Sequence, residues 1–336
     1  MAGSGLLTPK KLWSVLGLLT LILAVAFVLG LAWGSVRVPV FQVLKGKETD
    51  PTYRAILWEL RLPRVILAGL VGWSLSVGGV VFQAIMRNPL AEPFLLGISS
   101  GAALGAVAAI LFGILFWGGL PLLAFFGALL TIALVLSLAQ RARTIETNTL
   151  ILTGVIVNAF FAALIMFALA TASGERLHSM LFWLYGDLSR GRFLDLWILL
   201  PVVFFGSFLL YGLGRPLNLM ASGEELAAQL GVAVERAKWF SLIVVSLMCG
   251  VTVSFSGVIG FVGLLVPHLM RMSFGGDHRL LLPASGLFGA SFMIGADLLA
   301  RTVISPSELP VGVITAFLGA PFFLYLLYLR RRPWNL

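Results

Sequence analysis

Ten long apolar runs, separated by short polar islands, set the plan of the chain. They cover roughly 12–34, 63–85, 93–113, 119–140, 149–170, 193–213, 239–256, 258–272, 280–302 and 310–329. Runs of about 20 apolar residues have the length that carries a helix across a bilayer core. Lipid offers the backbone no hydrogen-bond partner, so such runs cross as helices. The eighth run is short and contains Pro267, which predicts a half-helix buried among protein rather than in lipid. The first run follows Lys10 and Lys11, is longer than a signal-peptide core and is not closed by an A-x-A-like site. It is expected to be a retained span.

Composition agrees with this plan. The 336 residues are 60% hydrophobic and 11% charged, where a soluble chain would carry about a quarter charged residues. The expected fold class is an all-α membrane protein, a single transmembrane domain over residues 1–336 with about ten helices. Its longest polar stretches are 34–62, 171–192 and 214–238. The net charge of +9 is spread over many loops and forms no single patch, which disfavours nucleic acid as a partner and suits loops facing a membrane. Ten spans place both termini on one side. A small excess of bases there, with Arg330-Arg331-Arg332 at the tail, makes that side the cytoplasm of a bacterial inner membrane. The opposite side is unusually rich in arginine. Glycine is abundant, and spacings such as Gly101 and Gly105 or Ala102 and Ala106 let helix backbones approach closely.

Several kinds of chemistry are missing. No phosphate-cradling G-x-x-x-x-G-K-[ST] loop and no H-E-x-x-H pair occurs, so neither a nucleotide nor a metal cofactor is expected in this chain. The lone Cys249 permits no disulfide, and His178, His268 and His278 are far apart, as packing or interfacial histidines would be. Asp297 is the one acid expected within a span. Arg301, one turn later, gives it an i,i+4 partner. An ion-driven transporter needs a carboxylate or histidine deep in a span, so energy is expected from elsewhere, and the chain is not expected to be an enzyme.

Two segments invite partners. In Arg61-Leu62-Pro63-Arg64 the proline suits the first helical position. Both guanidinium groups would then sit at the positive end of a helix dipole, with Arg301 nearby at the same end of the bundle. Lipid headgroups would explain these cations, and so would an acidic partner making bidentate pairs. On the other side, Ser222 and Glu225 form a capping-box pattern, Leu226 and Leu230 share a face, and Gly231 suits a helix end. A second short helix is expected from about Ala233.

These segments resemble the permease subunits of ATP-binding-cassette importers for iron–siderophore, haem and cobalamin, the FecCD/BtuC-like family. The resemblance rests on Arg61-Leu62-Pro63-Arg64, on Arg87-Asn88-Pro89-Leu90-Ala91-Glu92-Pro93, on Leu96-Gly97-Ile98-Ser99-Ser100-Gly101-Ala102 and on the 223–232 loop. It continues through Gly257-Val258-Ile259-Gly260-Phe261-Val262-Gly263-Leu264, Pro267-His268, Ala296-Asp297-Leu298-Leu299-Ala300-Arg301, Glu308-Leu309-Pro310-Val311-Gly312 and Gly319-Ala320-Pro321. It implies a BtuC-like homodimer enclosing a central path, two ATPase subunits that bind ATP and magnesium, and a solute-binding protein on the far side. Gly223, Glu224, Glu225, Leu226, Ala227, Gln229, Leu230 and Gly231, within a loop of about 215–238, would contact the ATPase. Arg61, Arg64 and Arg301 would grip the binding protein. Thr147, Asn148 and Leu152 would align with the inner gate, with Asn158 either lining the path or bonding a neighbouring helix. The implied function is import of a metal chelate. An ion-coupled transporter acting alone is the alternative, and a membrane enzyme a weaker third.

Overall fold

A computed structural model describes residues 7–329, apart from 35, 37, 47–49, 115, 117, 142–143 and 146. Ten apolar helices carry the expected plan: α1 (Pro9–Ala32), α2 (Leu62–Ile85), α3 (Ile98–Leu111), α4 (Gly119–Ala139), α5 (Thr147–Thr171), α6 (Phe193–Gly212), α7 (Val234–Ser256), α8 (Val262–Phe274), α9 (His278–Thr302) and α10 (Val311–Leu329). Among the described residues seven helices are long and apolar enough to cross a membrane, and Ile98–Leu111, Val262–Phe274 and Val311–Leu326 are shorter apolar helices. The described strand structure is a two-residue ladder, Gln140–Arg141 against Thr144–Ile145. The chain is a multi-pass membrane protein.

The centre of the bundle is α2, with α6, α7, α8 and α9 packed around it. Small residues make that possible. A Cβ on Gly79 would overlap the carbonyl oxygen of Gly263 in α8, and one on Gly72 would overlap that of Gly289 in α9. The expected glycine pair answers to the same logic, because Gly101 and Gly105 of α3 lie against Thr131, Gly127 and Leu123 of α4. Close backbone approach supplies dispersion contacts where lipid gives apolar side chains no reason to leave it. By contrast α5, α6 and α10 show apolar side chains outward, including Phe160, Phe167, Trp197, Phe204, Phe317 and Tyr325.

Three local expectations change. The chain is helical from Pro51 to Ile85, so Pro63 lies inside a helix rather than at its start. A π-turn over Ile56–Arg61 precedes it, where Leu62 N–H reaches back to the Leu57 carbonyl. The wider turn absorbs the hydrogen bond that proline cannot make. Neither Arg61 nor Arg64 therefore sits at a helix N-terminus. Next, α3 begins at Ile98 because residues 93–96 form a 3-10 turn closed by Gly97 in the left-handed region. Finally, α7 is continuous from Val234, so the short helix expected from about Ala233 is its first turns.

The expected half-helix is present. Helix α7 stops at Ser256, residues 257–261 are non-helical, and α8 is 13 residues long. If the α2–α8 crossing depends on glycine, Gly79→Leu must separate the backbones or leave the fold. Overpacking of this kind costs about 1–3 kcal/mol or more. Gly79→Leu should melt well below wild type in detergent-solubilised protein, measured by thermal size-exclusion analysis. Gly17→Leu should not, since nothing lies within 4 Å of a Cβ there.

Candidate functional site

At one end of the bundle Arg64 and Arg301 meet at Asp297 of α9, and Arg61 lies at the end of α1. Arg64 Nε bonds Asp297 Oδ1 at 2.9 Å and its Nη1 reaches Glu308 Oε2 at 2.8 Å. Arg301 Nε lies 3.0 Å from Asp297 Oδ2, the i,i+4 pair expected, and its Nη2 donates to the Gly30 carbonyl at 3.2 Å. Arg61 donates from Nη1 to the carbonyls of Leu31 and Ala32, at 2.8 and 3.0 Å, and from Nη2 to that of Val36. Those three carbonyls lie at and beyond the C-terminus of α1, where the helix's own orphan acceptors need donors. Arg61 and Arg301 are 5% and 4% exposed. The three arginines are thus brought together as expected, but their donors are engaged within the chain. Only the Arg64–Glu308 pair reaches the surface, through a Glu308 side chain that is 37% exposed.

A second convergence joins the break between α7 and α8 to its neighbours through backbone bonds. Asp187 N–H donates to the Ser256 carbonyl, Val258 N–H to Trp183, Val311 N–H to Gly186 and Gly312 N–H to Tyr185, at 2.9–3.3 Å. Gly257 is essential to this knot: its φ is +69°, and a Cβ would overlap the Trp183 carbonyl. The amphipathic helix Gly174–Leu184 and the start of α10 are therefore tied to one hinge. Beside it the Glu92 carboxyl faces the backbone of Phe261, the residue that precedes α8.

The depth of Glu92 was not visible in its neighbours along the chain. After α2 the backbone turns at Arg87 (φ +45°) and climbs back, so that Pro93 packs against Gly78 and Gly263. Glu92 consequently lies beside the middle of the bundle rather than in an outlying loop. Its place against the Phe261 backbone accounts for it structurally.

The opposite end carries the 214–238 stretch. Helices Gly214–Ser222 and Glu224–Gln229 meet at Gly223, whose φ of +137° few other residues adopt. The expected capping box does not form. Gly223 is the N-cap, and Ser222 Oγ instead donates back to the Asn218 carbonyl at 3.3 Å. Gly231 does close the helix: its N–H donates to Ala228 and that of Val232 to Ala227, with φ +86° at Gly231, the Schellman pattern. Ala227 is buried while Leu226 and Leu230 are 46% and 59% exposed, so the two leucines form an apolar face turned outward. Glu225, Ala228 and Gln229 are exposed around them. Glu224 fixes the short helix to α7 through Lys238, 2.6 Å away, and that lysine also lies 3.5 Å from Glu235. A buried lysine without its partners is costly, which favours one orientation of the helix.

On α5, Asn148 and Leu152 are exposed and the side chain of Thr147 lies outside the described residues. Asn158 is engaged in packing: Ser100 Oγ donates to its Oδ1 at 2.5 Å and its Nδ2 donates to the Phe94 carbonyl at 3.3 Å. His178 lies against Phe182, His268 among Phe322 and Phe323, and His278 on Asn218. Among the described residues no three metal-binding side chains cluster.

Residues 22–329 match the FecCD transport family. The chain belongs to that family. An ABC transporter permease of Bacillus subtilis, YvrB, is 43% identical over 326 residues, 92% of each chain. The vitamin B12 import system permease BtuC of Klebsiella pneumoniae is 40% identical over 316 residues, again 92% of each. Among solved structures, a metal-chelate type ABC transporter in an inward-facing conformation is similar with a TM-score of 0.84 and 34% identity, covering 96% of this chain and 99% of that one. The protein is a transmembrane permease subunit of BtuC-like fold.

In this permease the buried charges have to be read as one unit. Asp297 is fully buried and compensates two arginines, so removing it leaves uncompensated buried cations, a cost of about 3–5 kcal/mol. Asp297→Asn should lower the melting temperature of the purified permease sharply. Arg190→Gln, whose side chain is 59% exposed beside Asp187, should leave it within a degree or two.

Proposed function

We propose that the permease works as a homodimer in a bacterial inner membrane, importing a metal chelate handed over by a solute-binding protein and driven by two separate ATPase subunits. The observation that carries this reading is the outward Leu226–Leu230 face on a short helix braced by Lys238. Two exposed leucines on a rigid protrusion form a small apolar surface of the kind that inserts into a partner's groove. The termini and this helix lie on the cytoplasmic side, where the ATPases are. The outward faces of α5 and α10 meet the second copy and line the path between the two subunits. A large chelate suits such a path, because a wide apolar wall binds weakly along its whole length. Iron–siderophore, haem and cobalamin remain the candidate cargoes, with relatives named for vitamin B12 import favouring the last.

The docking role of the arginine face takes a narrower form than three free guanidinium groups. A carboxylate of the binding protein reaches Arg64 by exchanging with Glu308, whereas Arg61 and Arg301 hold α1 and α9 together beneath it. Removing the competitor helps the partner. Glu308→Gln should therefore tighten binding-protein docking several-fold in a pull-down or interferometry measurement, and unchanged affinity would detach docking from Arg64.

Reconstitution tests the function itself. Proteoliposomes holding the permease with its ATPase subunits should take up chelate only with ATP, and Leu226→Asp with Leu230→Asp should abolish uptake while the permease still folds. Uptake by the permease without ATPase subunits would favour an ion-coupled transporter instead.

A further inference from the structure

A lateral cleft of about 390 Å³ lies between α2, α6 and α9, away from the arginine face and the hinge. Its walls include Trp73, Val203, Ser207, Tyr211, Leu282 and Pro283. The walls are almost wholly apolar, and the polar atoms of two of them satisfy each other, since Trp73 Nε1 donates to Ser207 Oγ at 2.9 Å. Phe204 and Phe208 flank the opening and are 67% and 68% exposed, so the cleft opens sideways into the bilayer.

Its length and charge describe an occupant. Leu200 and Tyr211 both line it, and 11 residues of helix span about 16 Å at 1.5 Å per residue. That is close to the depth of one leaflet, half of a hydrocarbon core of about 30 Å. The Tyr211 end lies where α6 gives way to the helix Gly214–Ser222, at the level of the headgroups. Basic groups gather there. Arg279 packs over Gly214, where a Cβ would lie 3.3 Å from its Cγ, and Arg215 is exposed next to it. Asp277 takes the Nε and Nη2 of Arg279 at 3.0 and 2.5 Å. Those bonds, with one from Asn218, hold its carboxyl well below the usual range. The Nη1 of Arg279 stays available for an anion, and the mouth keeps a net positive charge from two arginines and one aspartate. Pro283 lines the same mouth and cannot donate to the Arg279 carbonyl one turn back.

We propose that this cleft binds one acyl chain of an anionic phospholipid, with the phosphate on Arg279 and Arg215. A second copy of the chain would need a broad complementary face, whereas a narrow apolar slot one leaflet deep with a cationic mouth matches a single lipid.

Trp73 reports on the site. The full-length permease in detergent should be titrated with phosphatidylglycerol carrying brominated acyl chains, and the quenching lost in Trp73→Phe taken as the signal of this residue among the nine tryptophans. Saturable quenching is expected, with brominated phosphatidylcholine several-fold weaker. Arg215→Gln and Arg279→Gln should each weaken phosphatidylglycerol roughly fivefold, about the effect of one basic residue near a membrane surface. Equal, non-saturating quenching by both lipids would mean ordinary surrounding lipid and overturn the site. So would an unchanged affinity in the Arg215→Gln variant, whose exposed side chain can be removed without disturbing the fold. Displacement of the lipid by millimolar inorganic phosphate would overturn it in favour of a free-anion site.

Discussion

Every feature of the permease depends on how closely other backbones can approach α2. That helix is enclosed by four others, and in a membrane no hydrophobic gain draws them together. The approach itself must be favourable, and it is bought at Gly72 with Gly289 and at Gly79 with Gly263, where hydrogen is the only substituent that fits. Once α8 and α9 are pinned to α2 in this way, the ends of the pinned helices have fixed places. One end of α2 presents Arg64 to Asp297 of α9. The other turns at Arg87 and sends the chain back to put Pro93 against Gly78 and Gly263. The hinge at residues 257–261 exists because α8 must start deep, beside that returning segment, and its freed backbone groups find partners in residues 183–187 and 311–312.

This arrangement separates a buried interior from helices that are exposed along one side. The interior of α2, α7 and α9 is buried on most sides, while α5 and α10 are held along one side only and carry exposed aromatic and aliphatic side chains. Phe261 lies against Gly319 of α10, and residues 95–96 against Gly154 of α5. Both of these helices are thus contacted by the segments that break the regular helices next to α2. In the proposed importer, motion passed from the Leu226–Leu230 face into α7 reaches the hinge at its far end, and through it α10. The chain would act as a conduit whose energy is delivered by its partners.

Much of this was legible in the residues alone. Ten spans could be read because lipid forbids unpaired backbone, which leaves hydropathy few ways to mislead. Pro267 in a short run marked the half-helix, and Asp297 followed by Arg301 marked an ion pair that is present at 3.0 Å. The errors share one physical origin, which is that a motif's signal was answered by partners outside the motif. Pro63 has the local signature of a helix start, yet a π-turn lets the helix run through it. Ser222 with Glu225 spells a capping box, but the preceding helix takes the serine hydroxyl and Gly223 takes the cap. Arg61 looks free in sequence, and the second bond of Arg301 is unseen, because backbone carbonyls of α1, contributed about 30 and 271 positions away, leave no trace in a motif. Glu92 looked like a loop residue because its depth comes from the chain's return into the bundle. For Asn158 the sequence leaves path lining and helix bonding both open, and the structure shows a bond to Ser100, 58 residues earlier.

The central claim is that energy enters at the Leu226–Leu230 face from a separate ATPase. The most direct measurement uses the fact that the single native cysteine, Cys249, is fully buried. A spin label on a cysteine placed at Gln229, next to that face, gives the distance between the two copies in the assembled transporter by pulsed electron paramagnetic resonance. The account predicts that this distance shifts by several ångströms when ATP binds and returns after hydrolysis. An unchanged distance distribution during active ATP-driven uptake would contradict it.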